Sequence, residues 1–142
     1  MHRALQIRTH GPGFHEITRQ VAEAVQSVLS DGVLTLFVRH SSASLLIQEN
    51  ADPEVQTDLL AYLGRLVPRS DQPEMSYLTH TYEGPDDMPG HIKASLLPVS
   101  LQVPVSEGRM LLGRWQGIYL VEHRDAPHTR EIILSLPSDT SC

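Results

Sequence analysis

The chain has 142 residues, 40% of them hydrophobic and 20% charged, with a formal net charge of -6. That length suits one domain, expected over residues 1–142 with an ordered core at about 4–137, and the composition is globular rather than disordered. The 11 basic residues are scattered, so a nucleic-acid partner, which would need a basic face to neutralise phosphate, is not expected.

The first residues, Met1 to Gln6, lack the apolar core of a signal peptide. No apolar run approaches the ~20 residues of a membrane span, so the cytoplasm is the expected location, with no membrane partner. Residues 4–9 alternate apolar and polar and predict a strand. Gly11-Pro12-Gly13 breaks it. Ile17, Val21, Ala24, Val25, Val28 and Leu29 then fall at helical spacing, with Asp31-Gly32 as the stop and Gly32 as a left-handed cap. Residues 33–38 and 43–48 have extended character. Asp52-Pro53-Glu54 opens a second helix as N-cap, first-position proline and first-turn acid. Val55, Leu59, Leu60, Leu63 and Leu66 give that helix a buried stripe, and Pro68 stops it.

Residues 69–92 are polar and rich in Pro, Gly and Asp, and they read as one long loop. Residues 99–105, 110–115, 118–122 and 129–136 read as strands, the first two joined by a hairpin turn at Glu107-Gly108. The chain frays from Pro137. It ends at Cys142, the one cysteine, which excludes an internal disulfide and is a poor candidate nucleophile. Helices and strands do not alternate regularly. The order therefore predicts an α+β fold with a mainly antiparallel, β-sandwich-like sheet core and two principal helices.

Four stretches carry chemistry. The long loop holds His80, Glu83, Asp86, Asp87, His91 and Lys93, the imidazoles and carboxylates that a divalent metal or an acid–base pair requires. Those groups converge only if the loop folds back on itself; otherwise it is a solvated acidic loop. His40-Ser41-Ser42-Ala43-Ser44 sets small hydroxyls beside an imidazole at a strand break, where the run could cradle a phosphate, bind a metal, or form a bulge or turn with satisfied hydroxyls. Asn50 precedes a helix N-terminus, a place that favours anions. In residues 113–124, Gln116, Ile118, Leu120, Glu122 and Arg124 share one face at period two. Glu122 and Arg124 are then either an exposed ladder pair or pocket groups.

Taken together these stretches resemble the YjbQ family, often labelled secondary thiamine-phosphate synthase. The likeness rests on three runs in order: His40 to Leu45 followed by Glu49 to Pro53, then Tyr82 to Lys93, then Gly113 to Arg124. It covers roughly residues 5 to 136. Ser41 and Arg114 depart from it, each standing where the family has Thr.

The resemblance implies a YjbQ-like fold, a homotrimer, and a polar pocket near a subunit boundary. It carries over His40, Asn50, His80, Asp87, His91, Gln116 and Glu122 as site residues. On that basis His40, His80 and His91 are expected to ligate a divalent metal, zinc or magnesium, leaving a position open for water or substrate. Asp87, Glu122 and His91 are expected to be catalytic. Ser42, Asn50, Lys93, Gln116 and Arg124 are expected to bind a phosphorylated small-molecule substrate. The implied activity joins a hydroxymethylpyrimidine pyrophosphate to a thiazole phosphate. The alternatives are a metal-dependent hydrolase of a phosphorylated metabolite and a non-catalytic, metabolite-binding trimer.

Overall fold

The computed structural model of the protein describes residues 1–138. Cys142 lies outside them. Eight strands form two antiparallel sheets. The larger has the order β1 (His2–Thr9), β8 (His128–Ser135), β3 (Gly32–Val38), β5 (Ser100–Ser106), β6 (Arg109–Met110). The smaller has the order β2 (Gly13–Glu16), β7 (Gln116–Glu122), β4 (Ala43–Glu49). The helices are α1 (Thr18–Val25), α2 (Pro53–Leu66) and α3 (Asp87–Leu96).

The core lies where the inner faces of the two sheets meet. Leu34, Leu36 and Val38 of β3 point into it, as do Ile132 and Leu134 of β8 and Val103 and Val105 of β5. Leu45 of β4, Ile118 and Leu120 of β7, and Val21 and Val25 of α1 complete it. In β3 and β8 the buried residues alternate with more exposed ones, as a sheet with one covered face requires. In β7 every residue from Gly117 to Glu122 is buried. That strand is central in its sheet and covered on both faces. Removing one of the large core side chains, Leu36→Ala for example, costs about 2–5 kcal/mol.

The α+β architecture is therefore as the sequence predicts, and so are several local devices. Asp52 caps α2, its carboxylate accepting from the Glu54 backbone N–H at 2.9 Å, and Pro53 takes the first turn. Glu107 and Gly108 join β5 to β6 with positive φ values of 51° and 75°, a pattern that matches strand twist in tight hairpins.

Other expectations change. Residues 13–16 form β2, a short edge strand that the glycine–proline break conceals. The first helix ends at Val25. Gly32 is no helix cap but opens β3, where a Cβ would lie 2.6 Å from the Pro137 side chain. Close approach of Pro137, not a left-handed φ, is what requires glycine there, and Pro137 is packed rather than frayed. Only Leu63 of the α2 stripe is fully buried; Leu66 remains 52% exposed. Of residues 110–115, only Met110 is in a strand.

The largest departure is α3, a third helix inside the stretch read as loop. Its Asp86-Asp87 start puts acids at the positive helix end. Pro89 sits in the first turn, where no intrahelical N–H is missed. Leu97, forced toward extended backbone by Pro98, ends it with φ -105° and ψ 157°.

Candidate functional site

The helix α3 explains how separated groups meet. Asp87 and His91 stand four residues apart, so they share one helix face. The preceding segment turns back through Gly84, whose φ of 103° suits glycine, and brings His80 over the same face. His80 Nε2 lies 2.8 Å from Asp87 Oδ2 and 3.0 Å from Glu83 Oε2. His91 Nε2 lies 3.3 Å from the same Asp87 oxygen. The donor atoms of His80, Asp87 and His91 all lie within 4.8 Å of one another.

Each member is held from behind. His91 Nδ1 is 3.0 Å from the Ser41 carbonyl oxygen. A carbonyl only accepts, so Nδ1 carries a proton and Nε2 is the nitrogen turned to Asp87. Asp87 is 3% exposed, and its other oxygen accepts from Arg124 Nη1 at 2.7 Å. Arg124 Nε donates to Asp86 at 2.9 Å, and Asp86 also accepts from the Asp125 backbone N–H at 2.9 Å.

The charges tune one another. The hydrogen bond to Asp87 pushes the His80 pKa above its ordinary value, and Glu83 adds to it. Burial alone would raise the Asp87 carboxyl. The hydrogen bond from His80 and the charges of His91 and Arg124 outweigh it and hold Asp87 below the usual range.

Two imidazole Nε2 atoms facing one carboxylate oxygen fit a metal ion in chemistry and in size. Ligand atoms of tetrahedral zinc are roughly 3.3 Å apart, given bonds of about 2.0–2.1 Å. The Asp87 oxygen lies 2.8 and 3.3 Å from the two nitrogens, and all three donor atoms lie within 4.8 Å of one another, so small side-chain shifts bring them to that spacing. Two nitrogens and one oxygen suit zinc better than magnesium, which prefers oxygen ligands.

Beneath this cluster, at the end of β7, Glu122 is fully buried. It accepts from the Thr9 hydroxyl at 2.5 Å, from Arg130 Nε and Nη2 at 2.8 and 2.6 Å, and from the backbone N–H groups of His123 and Arg124 at 2.9 and 3.1 Å. Burial would raise its pKa, but the Arg130 and Thr9 hydrogen bonds keep it ionised and lowered. Its acceptor positions are taken by these partners. Next in sequence, His123 is 3% exposed, with Nε2 2.8 Å from the Ser44 hydroxyl. Burial, then the Lys93 charge, lowers its pKa to about 4, so the ring is neutral. It packs on Gly90, where a Cβ would sit 3.5 Å from the His123 Cβ.

The sequence-predicted residues thus divide. His80, Asp87, His91 and Arg124 come together. Lys93 is half-buried nearby, its pKa lowered by burial, with no salt-bridge partner among the described residues. His40 is outside the triad: its Nε2 accepts from the Glu131 backbone N–H at 2.8 Å. Ser42 is committed to Arg130, with its hydroxyl 3.0 Å from Nη2. Asn50 and Gln116 sit at the opposite end of the small sheet, roughly 20 Å along the seven-residue β7 from Glu122. There Asn50 donates to Glu16 at 3.1 Å, and Gln116 accepts from the Gly113 backbone N–H at 2.7 Å.

Sequence reasoning missed the Ser41 carbonyl, the buried Ser44–His123 pair and the Thr9–Glu122–Arg130 network. It named Asp86 without its role. The four-residue spacing of Asp87 and His91 was a usable signal, had Pro89-Gly90 not hidden the helix.

Residues 3–139 match the family described as UPF0047 protein YjbQ-like. The chain belongs to the YjbQ family. Among relatives, the YjbQ protein of Salmonella typhimurium is 41% identical over 139 residues, covering 96% of this chain and 97% of that one. A UPF0047 protein of Synechocystis is 44% identical over 136 residues, covering 95% and 90%. A conserved hypothetical protein from Thermus thermophilus shares the YjbQ fold with a TM-score of 0.82 and 36% identity, covering 95% of this chain and 99% of that one. No helix among the described residues is long and apolar enough to cross a membrane.

Proposed function

We propose that this chain is an enzyme acting on a small phosphorylated molecule at the His80–Asp87–His91 cluster, with a divalent metal, zinc in preference to magnesium, as cofactor. One observation carries this reading: two imidazole Nε2 atoms converge on a single buried carboxylate oxygen, and the far nitrogen of one ring is pinned by a main-chain carbonyl. That carbonyl–histidine arrangement is how proteins orient metal-binding imidazoles. A metal so held polarises a phosphoryl oxygen or lowers the pKa of a bound water.

The chain's own residues supply the rest. Arg124 braces Asp87 and so acts through it rather than on substrate. Lys93 is the cation left to meet phosphate charge. Glu122 orders the end of β7 from below. Asn50 and Gln116 lie at the far end of the small sheet and as site residues would act on this cluster from another subunit of the homotrimer that the family likeness implies. The exposed Tyr62 and Leu66 of α2 and Val33 and Phe37 of β3 are apolar surface such an assembly would cover. The family likeness also supports the finer activity, joining a hydroxymethylpyrimidine pyrophosphate to a thiazole phosphate in the cytoplasm. Hydrolysis of a phosphate ester would use the same residues.

The test is to assay zinc-loaded protein for thiamine phosphate formation and for phosphatase activity, alongside Asp87→Asn. We expect one activity above background, reduced on the order of 100-fold in the variant. Neither activity above background in the wild type would sink the enzyme reading and leave the non-catalytic, metabolite-binding trimer.

A further inference from the structure

His40 is freed from the metal triad by its own hydrogen bond, and the same bond decides what it can do. A backbone N–H can only donate, so His40 Nε2, which receives the Glu131 N–H at 2.8 Å, is an acceptor. The neutral ring then carries its proton on Nδ1. Burial, followed by the Arg130 charge, lowers the His40 pKa and keeps that ring neutral. Among the described residues, His40 Nδ1 has no hydrogen-bond partner, and it is not among the buried polar atoms left unpaired, which are His15 Nε2 and Glu49 Oε2. It is therefore an accessible N–H donor of fixed identity.

His40 borders a cavity of about 250 Å³, and a second one of about 200 Å³ that Arg39 and Glu131 also line. In the first, His40 and Ser41 form one wall, Ala43 and Val99 contribute apolar surface, and Ala94 stands beside His91. Ser95 is there too, but its hydroxyl already donates to the His91 carbonyl at 2.9 Å. No lysine, arginine, aspartate or glutamate lines the space. His91 faces it while also belonging to the metal cluster. A phosphate entering this cavity would lose water with no cation to receive it, which is unfavourable. An uncharged ring would cover the alanine and valine surface and could place one acceptor atom on the imidazole N–H.

We propose that this cavity is a binding subsite for the uncharged part of the ligand, a flat ring bearing a hydrogen-bond acceptor that takes the proton of His40 Nδ1. His40 is thus a specificity residue, and the ligand spans two places: the ring beside His40 and its phosphoryl group at His80, Asp87 and His91. The second half of that statement rests on the reading of the preceding subsection; the ring subsite does not.

Two probes separate the two claims. 2-Pyridone, an uncharged ring with a carbonyl acceptor, is titrated into metal-free protein, and inorganic phosphate into zinc-loaded protein, each followed by nitrogen-15 NMR. We expect 2-pyridone to shift the His40 Nδ1–H signal and the amides of Ala94 and Val99. Ala94→Leu, which fills the cavity, should weaken that binding at least about tenfold, and His40→Gln should keep the fold and abolish the 2-pyridone shifts of the Ala94 and Val99 amides. Phosphate should leave the His40 signal unmoved. The inference is overturned if phosphate, not 2-pyridone, shifts His40, if 2-pyridone shifts none of these signals, or if its binding is unchanged in Ala94→Leu. Ring binding in a protein whose zinc form ignores phosphate would uphold the subsite and sink the phosphoryl reading instead.

Discussion

Glu122→Gln is the substitution that separates a structural carboxylate from a catalytic one. In the native protein both Glu122 oxygens face donors only: the Thr9 hydroxyl, two Arg130 nitrogens and two backbone N–H groups. An amide keeps the volume but turns an NH2 group toward one of those donors. It also strips the counter-charge from Arg130, which is 3% exposed. Breaking a buried pair from one side costs about 3–5 kcal/mol, because the surviving charge stays buried. For a domain of this size each kcal/mol moves Tm by roughly 3–5 °C, so the melting point should drop by about 10–25 °C. Thermal and urea unfolding followed by far-UV circular dichroism, at one fixed protein concentration, reads this directly. Glu122→Met with Arg130→Met, which removes both charges, should recover most of the loss. A Glu122→Gln protein within ~1 kcal/mol of wild type but devoid of activity would refute the argument and make Glu122 a catalytic residue.

Three further predictions concern pH and the hairpin. The His123 pKa is lowered to about 4, against about 6.5 unfolded, so the unfolded chain takes up the proton first as pH falls. Its stabilisation is complete above pH ~6.5 and fades toward pH ~4, a loss of about 3 kcal/mol across that window. His123→Asn should flatten the fall, seen by urea unfolding at pH ~7 and ~4.5; an unchanged slope would show the ring to be already protonated or exposed. His80 works with the opposite sign: its raised pKa adds stability below the unfolded value that is lost as pH rises through the folded one, so His80→Asn should steepen the acid loss. Gly108→Ala places a Cβ 2.7 Å from the Gln26 carbonyl oxygen at a φ of +75°, and should cost about 1–3 kcal/mol in urea unfolding. A neutral effect there would mean the hairpin moves freely away from α1.

Much of this fold is written in local chemistry. The Asp52-Pro53 helix start, the Glu107-Gly108 turn and the alternation along β8 each impose one backbone state. What escaped sequence reading depends on partners far along the chain. Gly32 looks like a helix cap until Pro137 is seen against it. Pro89-Gly90 looks like a breaker, although a first turn tolerates proline and His123 packs on the glycine. The α2 stripe looks fully buried because spacing alone does not tell a core face from an exposed one. The site was legible in its residue types. His80, Asp87 and His91 do converge and His40 shares a cavity with His91, whereas Glu122 is enclosed by its own donors and Asn50 and Gln116 lie at the far end of the small sheet. A carboxylate's role depends on which donors surround it, and the Arg130 that claims Glu122 lies on a neighbouring strand of the other sheet.

Metal analysis tests the His80–Asp87–His91 cluster most directly. Protein dialysed against zinc and then against buffer should retain about one zinc per chain by elemental analysis. His80→Ala, His91→Ala and Asp87→Asn should each lose it, while His40→Gln keeps it. Equal zinc in all five proteins, or none in the wild type, would contradict a metal site there.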